Sequence, residues 1–326
     1  MDLKDFLRDD KNIVFDFTMD NECDSYKKIE NPVDRYFAYR SLKKELIGCC
    51  YKEASDFAEK NTEKYNKVGD PDLSSCLLQK IYKSLWSDLC EKEFMLDGDW
   101  IQSDTMTSAQ KTINISIERL VENDQEYRFR KGIGSRNRVS DAYCIELYLK
   151  DRQSFISRIK KIPGAEIKKI PGAEIFLNLY HTLGNYVAVP KSFNAARSGN
   201  YASYDYWDLT LMKIREYFFE NNVERIEELL HNSGSKENCK AWLDYFGVGE
   251  VGWKKFVDNL YFQDYVDYEY KVIPFCEGHS WQNPVINDCK EFFLNVSRLI
   301  YLRGKRMYID CKKGVKNNGA SCIIQI

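Results

Sequence analysis

The stretch HTLGNYVAVPKSFNAARSGNYASYDYWDLTL, residues 181–211, places many polar side chains between a short apolar strand and a helix. We call it the polar block. The segment Phe176–Pro190 predicts a strand or hairpin, since its apolar content is Tyr186, Val187 and Val189. A helix opened by Asp205 follows, with a buried face predicted at Trp207, Leu211, Ile214 and Phe218. The block is therefore predicted to be an α+β junction.

The polar block is also where we expect chemistry. Its candidate site residues are His181, Asn185, Asn194, Arg197, Asp205 and Asp208. Asp205 and Asp208 are three positions apart, so they share one face of the first helical turn, where the helix dipole favours carboxylates.

The rest of the chain is dominated by helical periodicity. Asp70-Pro71 predicts the start of a helix that stacks Leu77, Ile81, Leu85 and Leu89. Further helices are predicted near 223–231, 238–246, 251–266 and 288–303. Strands are predicted at Ile13–Phe17 and, as an edge strand, in the apolar SCIIQI at 321–326, which follows an Asn-Asn-Gly turn signal in the tail. The expected fold class is mainly α with one or two small β elements.

The octamer KKIPGAEI occurs twice in succession, at residues 160–167 and 168–175. Each copy contains Pro-Gly, a turn signal, so the pair is interpreted as a loop extended by duplication. Long surface loops are tolerated because closure entropy grows slowly with length. We expect residues 1–326 to form a single compact helical unit, with 1–159 and 176–326 as the alternative sub-division.

Composition limits the class of protein. The 326 residues are 44% hydrophobic and 30% charged with a net charge of -2, which is typical of a globular protein and excludes a strong overall attraction to polyanions. The 11 cysteines are dispersed without zinc-site spacing, which indicates reduced thiols and a cytosolic compartment. Neither a signal peptide nor a membrane-spanning run is predicted, so no membrane partner is expected.

The pattern H-T-L-G-N-x4-P-x3-N, from His181 to Asn194, resembles the second half of HNH-type ββα-metal nucleases, particularly the branch in DUF1524-like restriction enzymes. The resemblance implies that Asn185 orders the loop. It also implies that Asn194, with Asp205 or Asp208, holds a divalent cation such as Mg²⁺. The family's general-base histidine lies upstream, but no histidine precedes His181 in this chain. A nuclease of this type would have to recruit His181 as its base.

The same region resembles uncharacterised bacterial proteins of the DUF6994 type. These carry a related T-I-G-x5-P, N-x2-R-G and D-x-x-D-L-T-L series, matched here by segments beginning at Thr182, Asn194 and Asp205. The earlier runs LLQKIYKSLWS (77–87) and SDTMTS (103–108) are similar to that group as well. The resemblance spans roughly residues 69–306, and it implies a shared fold without an established activity.

A basic segment supplies a candidate nucleic-acid contact. Its cationic members, with no acid among them, are Arg128, Arg130, Lys131, Arg136 and Arg138. Interleaved Tyr127 and Phe129 suit stacking on single strands, and Arg197 adds a further cation from the polar block. The first functional hypothesis is therefore a nucleic-acid-directed protein, of the kind expected in phage defence or mobile elements, and, if it is an enzyme, a metal-dependent nuclease.

Two alternatives stay open. In one, the protein is a non-catalytic protein-interaction module and the polar block is a structural clasp, with its side chains buried and paired with backbone groups. In the other, it binds a small molecule between aromatic-rich helices, with His279 or Trp281 at the mouth of a pocket. The nuclease hypothesis instead predicts that His181, Asn194 and a carboxylate converge on an exposed surface. As a lone loop histidine, His279 is expected to be exposed.

Overall fold

The structure is a computed structural model that describes residues 1–20, 71, 75–106, 172–194, 206–230, 233–282, 286 and 288–321. At 233, 234, 289 and 315–321 only the backbone is described. The α-helices in this part are α1 (Leu3–Phe6), α2 (Cys76–Leu85), α3 (Ser87–Cys90), α4 (Ala173–Leu179), α5 (Trp207–Glu220), α6 (Glu224–Leu229), α7 (Ser233–Tyr245), α8 (Gly249–Asn259) and α9 (Cys289–Ser321). Short 3-10 helices lie at Asp10–Val14, Phe17–Asp20, Glu93–Met95, Leu183–Asn185 and Gln263–Tyr265.

Two small antiparallel sheets accompany the helices. In the first, β1 (Leu96–Asp97) pairs with β2 (Trp100–Ile101). In the second, β3 (Ser103–Thr105) pairs with β4 (Tyr186–Ala188), with Asp104 opposite Val187. The predicted fold class, mainly α with small β elements, is confirmed. The second sheet matters most for the site, since it joins the polar block to a strand far away in sequence.

Helix α9 organises the core. It packs against α4, α2, the 3-10 helix Asp10–Val14 and, most closely, the 3-10 helix Leu183–Asn185. A Cβ on Gly184 would lie 1.8 Å from the carbonyl oxygen of Ile300, so only glycine allows this approach. Gly304 faces the same contact, because a Cβ there would lie 3.1 Å from the backbone nitrogen of Gly184. The backbones of these two segments therefore touch directly.

The helix after the polar block has the expected buried face. Helix α5 begins at Trp207, and Trp207, Leu211, Ile214 and Phe218 are all buried. Residue Asp205, predicted to open it, lies outside the described residues. The helices predicted near 223–231, 238–246 and 251–266 correspond to α6, α7 and α8, although α8 ends at Asn259.

Two strand predictions are wrong. Ile13–Phe17 is not a strand, because local hydrogen bonds wind 10–14 into a 3-10 helix whose N-cap, Asp9, accepts from the Lys11 N–H. Within Phe176–Pro190 the strand is confined to Tyr186–Ala188, and Phe176 lies in α4. Helix α4 also includes the last residues of the second octamer, Ala173–Ile175, so that copy is not loop throughout.

Two helix boundaries also differ from prediction. The side chain of Ser75 caps α2 by accepting a hydrogen bond from the Leu78 N–H. The helix is interrupted at Trp86, so Leu89 belongs to the separate helix α3. Helix α9, predicted to end near 303, continues through the Asn-Asn-Gly turn signal to Ser321. The edge strand predicted for SCIIQI, 321–326, stays a prediction, because residues 322–326 lie outside the described residues.

No helix among the described residues is both long and apolar enough to span a bilayer. The prediction of one unit spanning 1–326 stays a prediction, since residues 107–171 are outside the described part. The basic segment lies outside it as well.

Candidate functional site

His181, the candidate general base, lies just before the 3-10 helix Leu183–Asn185 and is only 6% exposed. Its Nδ1 lies 3.9 Å from Oδ1 of Asp16, and its ring meets that of Tyr180 edge-on at 4.6 Å. Its backbone oxygen accepts a hydrogen bond from the Phe17 N–H at 2.9 Å. The surroundings of His181 are therefore the N-terminal segment and Tyr180.

Asn185, the candidate ordering residue, is fully buried. Its Nδ2 donates to the Tyr180 carbonyl at 2.8 Å, and its backbone oxygen accepts from the Met106 N–H at 2.7 Å. Met106 in turn accepts at its carbonyl from the Trp207 N–H. Asn185 thereby joins α4, the end of β3 and the start of α5.

Asn194, the candidate metal ligand, is half-buried in a short helical turn after β4. The neighbouring backbone faces α7 and residue 102: Ser192 N–H donates to Gln102 Oε1, and Ser235 Oγ donates to the Ser192 carbonyl. His181 and this turn thus contact different parts of the molecule. The other candidates Arg128, Arg130, Lys131, Arg136, Arg138, Arg197 and Asp205 lie outside the described residues.

Asp208 forms the centre of a buried polar cluster at the start of α5. Its side chain is 0% exposed, as is that of His279, and Asp208 Oδ2 lies 2.6 Å from His279 Nδ1. The same oxygen accepts from the Phe275 N–H at 2.8 Å, and Oδ1 accepts from the Leu209 N–H at 2.9 Å. This arrangement anchors the loop at 275–279 to the first turn of α5.

The expectation that His279 is exposed is wrong. Its imidazole packs against Tyr206 edge-on at 5.2 Å and stacks on Phe275 at 6.5 Å. Nε2 is buried and makes no hydrogen bond within the described chain. The partner of His279 is Asp208, 71 positions away. No local signal could have revealed that pairing, because it depends on how the loop folds back on α5.

Arg303, on the inner face of α9, is a second buried charge that the sequence did not single out. Its guanidinium is 0% exposed and donates to the carbonyls of Leu260, Gly184 and Tyr186 at 3.1, 3.0 and 2.7 Å. Burial lowers the pKa of Arg303 to about 10. It also lies over the Phe262 ring at 5.1 Å. Carbonyl dipoles thus replace a carboxylate as its partners.

A metal centre finds no support in the part of the chain that can be described. There, no group of three His, Cys, Asp or Glu side chains is placed to hold a metal ion. Asp208 is already bonded to two backbone N–H groups and to His279. A hydrolytic metal instead needs an open coordination position that water can reach.

An open groove of about 470 Å³ lies beside α8 and α9. We call it the Tyr261 groove. It is lined by Leu85, Trp86, Asp258, Asn259, Tyr261, Gln263, Arg306, Ile309, Asp310 and Lys313. The groove therefore combines two aromatic rings with charges of both signs, a mixture common in sites for small polar molecules.

Tyr261 holds a backbone conformation that favours glycine, with φ +62 at the C-terminal end of α8. The Phe262 N–H donates to the Val257 carbonyl and the Tyr261 N–H to that of Asp258, which is the Schellman pattern. A tyrosine in this left-handed position costs about 1 kcal/mol relative to glycine. Its ring contacts Trp86 at 6.1 Å, and burial, together with the nearby Asp310 carboxylate, raises the pKa of its hydroxyl. The contact with Trp86 offsets part of the backbone strain.

A second, smaller pocket of about 270 Å³ contains Trp281, as the small-molecule hypothesis expects for a pocket mouth. Its lining is charged, with Lys213, Arg215, Glu216 and Lys271 present, whereas an apolar pocket was expected. Lys213 lies 5.1 Å from the Trp281 ring centre and is paired with Glu216 and Glu228. Its ammonium is therefore already engaged.

Comparison with known proteins agrees with the second resemblance. Residues 55–307 match the family of unknown function DUF6994. No curated protein and no solved structure matches the chain significantly. The matched span contains the whole polar block, His279 and Arg303, as well as most of the groove lining. Since it covers most of the 326 residues, the chain belongs to the DUF6994 family.

Proposed function

We propose that this protein is a non-catalytic binding module in which the polar block acts as a structural clasp. The observation that supports the proposal is the burial of His181, Asn185 and Asp208, each 6% exposed or less. Each of these residues takes part in hydrogen bonds with backbone groups of other segments. A catalytic centre needs groups that substrate and water can reach.

The clasp joins four parts of the molecule. The Phe17 N–H donates a hydrogen bond to the His181 carbonyl, and the Met106 N–H donates one to the Asn185 carbonyl. Asp208 then ties α5 to the Phe275 N–H. In this proposal those hydrogen bonds hold the segments together, since breaking one leaves a buried donor or acceptor unpaired at a cost of about 1–3 kcal/mol. Asn185 contributes through its Nδ2 and its backbone oxygen, while its Oδ1 has no partner in the described chain.

The competing nuclease hypothesis is tested directly. Labelled single- and double-stranded DNA and RNA are incubated with the protein, with and without Mg²⁺ or Mn²⁺. The assay compares the wild type with His181→Ala and with a variant neutralised at Arg128, Arg130 and Arg136. We expect no metal-dependent cleavage. Cleavage that is lost in His181→Ala would overturn the proposal and make His181 the general base. Binding that is lost only on arginine neutralisation would identify nucleic acid as the partner.

The clasp itself is tested by stability. Asn185→Ala removes the bond to the Tyr180 carbonyl and should lower the free energy of unfolding by about 1–2 kcal/mol. The matched control is Asn238→Ala, since Asn238 is only half-buried and its side chain makes only a 3.5 Å contact with the Lys191 carbonyl. Equal, negligible effects of both substitutions would remove the support for a clasp.

A further inference from the structure

The Tyr261 groove has unused hydrogen-bond acceptors on one wall, formed by the end of α8 and the following turn. The Asp258 carboxylate is exposed and receives no side-chain or backbone hydrogen bond within the described chain. Gln263 Oε1 is buried and likewise has no partner there, while its Nε2 donates to the Asp258 carbonyl. This wall therefore offers a negative charge and a neutral oxygen to a donor.

The cations that line the groove are already paired. Arg306 makes a two-point contact with Asp264, at 2.8 and 3.2 Å. Lys313 pairs with Asp310 at 3.0 Å. An anionic ligand would meet cations whose charge a neighbouring carboxylate already offsets. A cationic ligand would meet Asp258, which receives no hydrogen bond within the described chain.

Aromatic rings favour the same class of ligand. Trp86 and Tyr261 meet at an interplanar angle of 57° and both line the groove. The face of an aromatic ring attracts ammonium and guanidinium groups, most strongly for tryptophan. The Trp86 ring is fixed in place, because its Nε1 donates to the Asn259 carbonyl at 2.6 Å.

One buried charge opposes a cation here. Arg303 lies close enough to Tyr261 to influence that hydroxyl electrostatically, and no carboxylate pairs with it among the described residues. Its Nε and Nη1 donate to carbonyls of the core, however, and its side chain is fully covered. A ligand in contact with Asp258 is nearer to that carboxylate than to Arg303, and Coulomb energy falls with distance.

We propose that the Tyr261 groove binds a small organic cation, such as an alkylammonium or guanidinium compound. Asp258 accepts its N–H groups, and the rings of Trp86 and Tyr261 lie beside its charged end. This inference rests on the proposed binding function and gives it a ligand class. It also supplies a reason for the tyrosine at a left-handed position, since glycine there would leave the groove without its second ring.

The test uses matched probes of similar length: putrescine and agmatine as cations, butanediol as the neutral probe and adipate as the anion. Binding is followed by the NMR resonance of the Trp86 indole N–H, assigned with Trp86→Phe. We expect the two amines to shift this resonance saturably and the other two probes to leave it unchanged. The amine affinity should fall as salt rises, because the contact with Asp258 is solvent-exposed.

Asp258→Asn is the decisive variant, and it should weaken amine binding roughly tenfold, as expected for a lost charged hydrogen bond. Asp99→Asn is the control, since Asp99 is exposed in the turn between β1 and β2 and does not line the groove. Absence of an amine-dependent shift, or equal affinity in both variants, would overturn the ligand class, as would tighter binding of adipate. None of these outcomes touches the clasp, which is tested separately by the cleavage assay with His181→Ala and by the stability of Asn185→Ala.

Discussion

Asp208 and Arg303 are two buried charges of opposite sign that the protein stabilises in similar ways. Both side chains are 0% exposed. Asp208 accepts from two backbone N–H groups and contacts His279, whereas Arg303 donates to three backbone carbonyls and has no acidic partner in the described chain. In each case one side chain satisfies backbone groups of distant segments.

Tyr265 is close enough to both charges for each of them to affect the pKa of its hydroxyl. Burial raises the pKa of its hydroxyl; the Arg303 charge acts in the lowering direction and the Asp208 charge in the raising direction. The core accommodates both charged side chains because backbone dipoles surround them. The difference is that loss of Asp208 leaves donors unpaired, whereas loss of Arg303 leaves acceptors unpaired.

The largest effect is expected for Asp208→Ala, which leaves two N–H groups and the His279 ring without their acceptor. Removing one partner of a buried pair costs about 3–5 kcal/mol. Chemical denaturation measures the change, with Asp99→Ala as the exposed control. A decrease in the free energy of unfolding of less than about 1 kcal/mol would contradict the role of Asp208 as the anchor of the 275–279 loop.

Gly184→Ala should be nearly as damaging, since its new Cβ would lie 1.8 Å from the Ile300 carbonyl oxygen. Separating α9 from the Leu183–Asn185 turn would also lengthen the Arg303 bond to the Gly184 carbonyl, so we expect a loss of about 3 kcal/mol. Gly314→Ala in the same helix α9 is the control and should stabilise by up to about 1 kcal/mol. Similar melting temperatures for the two variants would contradict the close contact.

Arg303→Met should cost less than Asp208→Ala, about 2–3 kcal/mol, although it frees three carbonyls. Unpaired carbonyls are tolerated better than unpaired N–H groups, and the substitution also removes an uncompensated buried charge. Denaturation midpoints of the two variants, measured side by side, give the order. If Arg303→Met lowers stability more than Asp208→Ala does, the higher cost of unpaired N–H groups does not explain the difference between the two variants.

His279→Asn sharpens the Asp208 side of the comparison. An asparagine amide can donate to Asp208 much as Nδ1 does, so the loss should be limited to about 1–2 kcal/mol. His279→Leu, which removes the donor altogether, should approach the effect of Asp208→Ala. The expected order in urea denaturation is wild type, Asn, then Leu, and an Asn variant as unstable as the Leu variant would argue against the hydrogen bond as the source of stability.

The smallest effect belongs to an exposed ion pair. The hydrogen bond from Lys213 holds the pKa of Glu228 below its usual value. A depressed carboxyl pKa means that its contribution to stability is present above the unfolded pKa, near 4.5, and is lost as the pH falls through the lower folded value. Glu228→Gln should therefore cost at most about 1 kcal/mol at neutral pH and nothing at the acid end of this range. A denaturation series between pH 7 and pH 3, roughly the span over which carboxylates titrate, measures the difference.

Local patterns predicted the helical framework for identifiable reasons. Helical spacing placed Trp207, Leu211, Ile214 and Phe218 on one buried face, because an amphipathic helix packs with that period. The same method failed at Ile13–Phe17, where short-range turns replace a strand, and at the end of α9, which continues to Ser321 instead of ending near 303. Short apolar runs and helix ends carry too little periodic signal to settle such cases.

The sequence by itself determined the mainly α class and the family. Composition, period and motif are properties of neighbouring residues. Only the tertiary structure decided the partners: His279 meets Asp208 from 71 positions away, and Arg303 reaches the carbonyl of Gly184 from 119. Burial is decided in the same way, because whether a polar side chain is covered depends on which distant backbone packs over it.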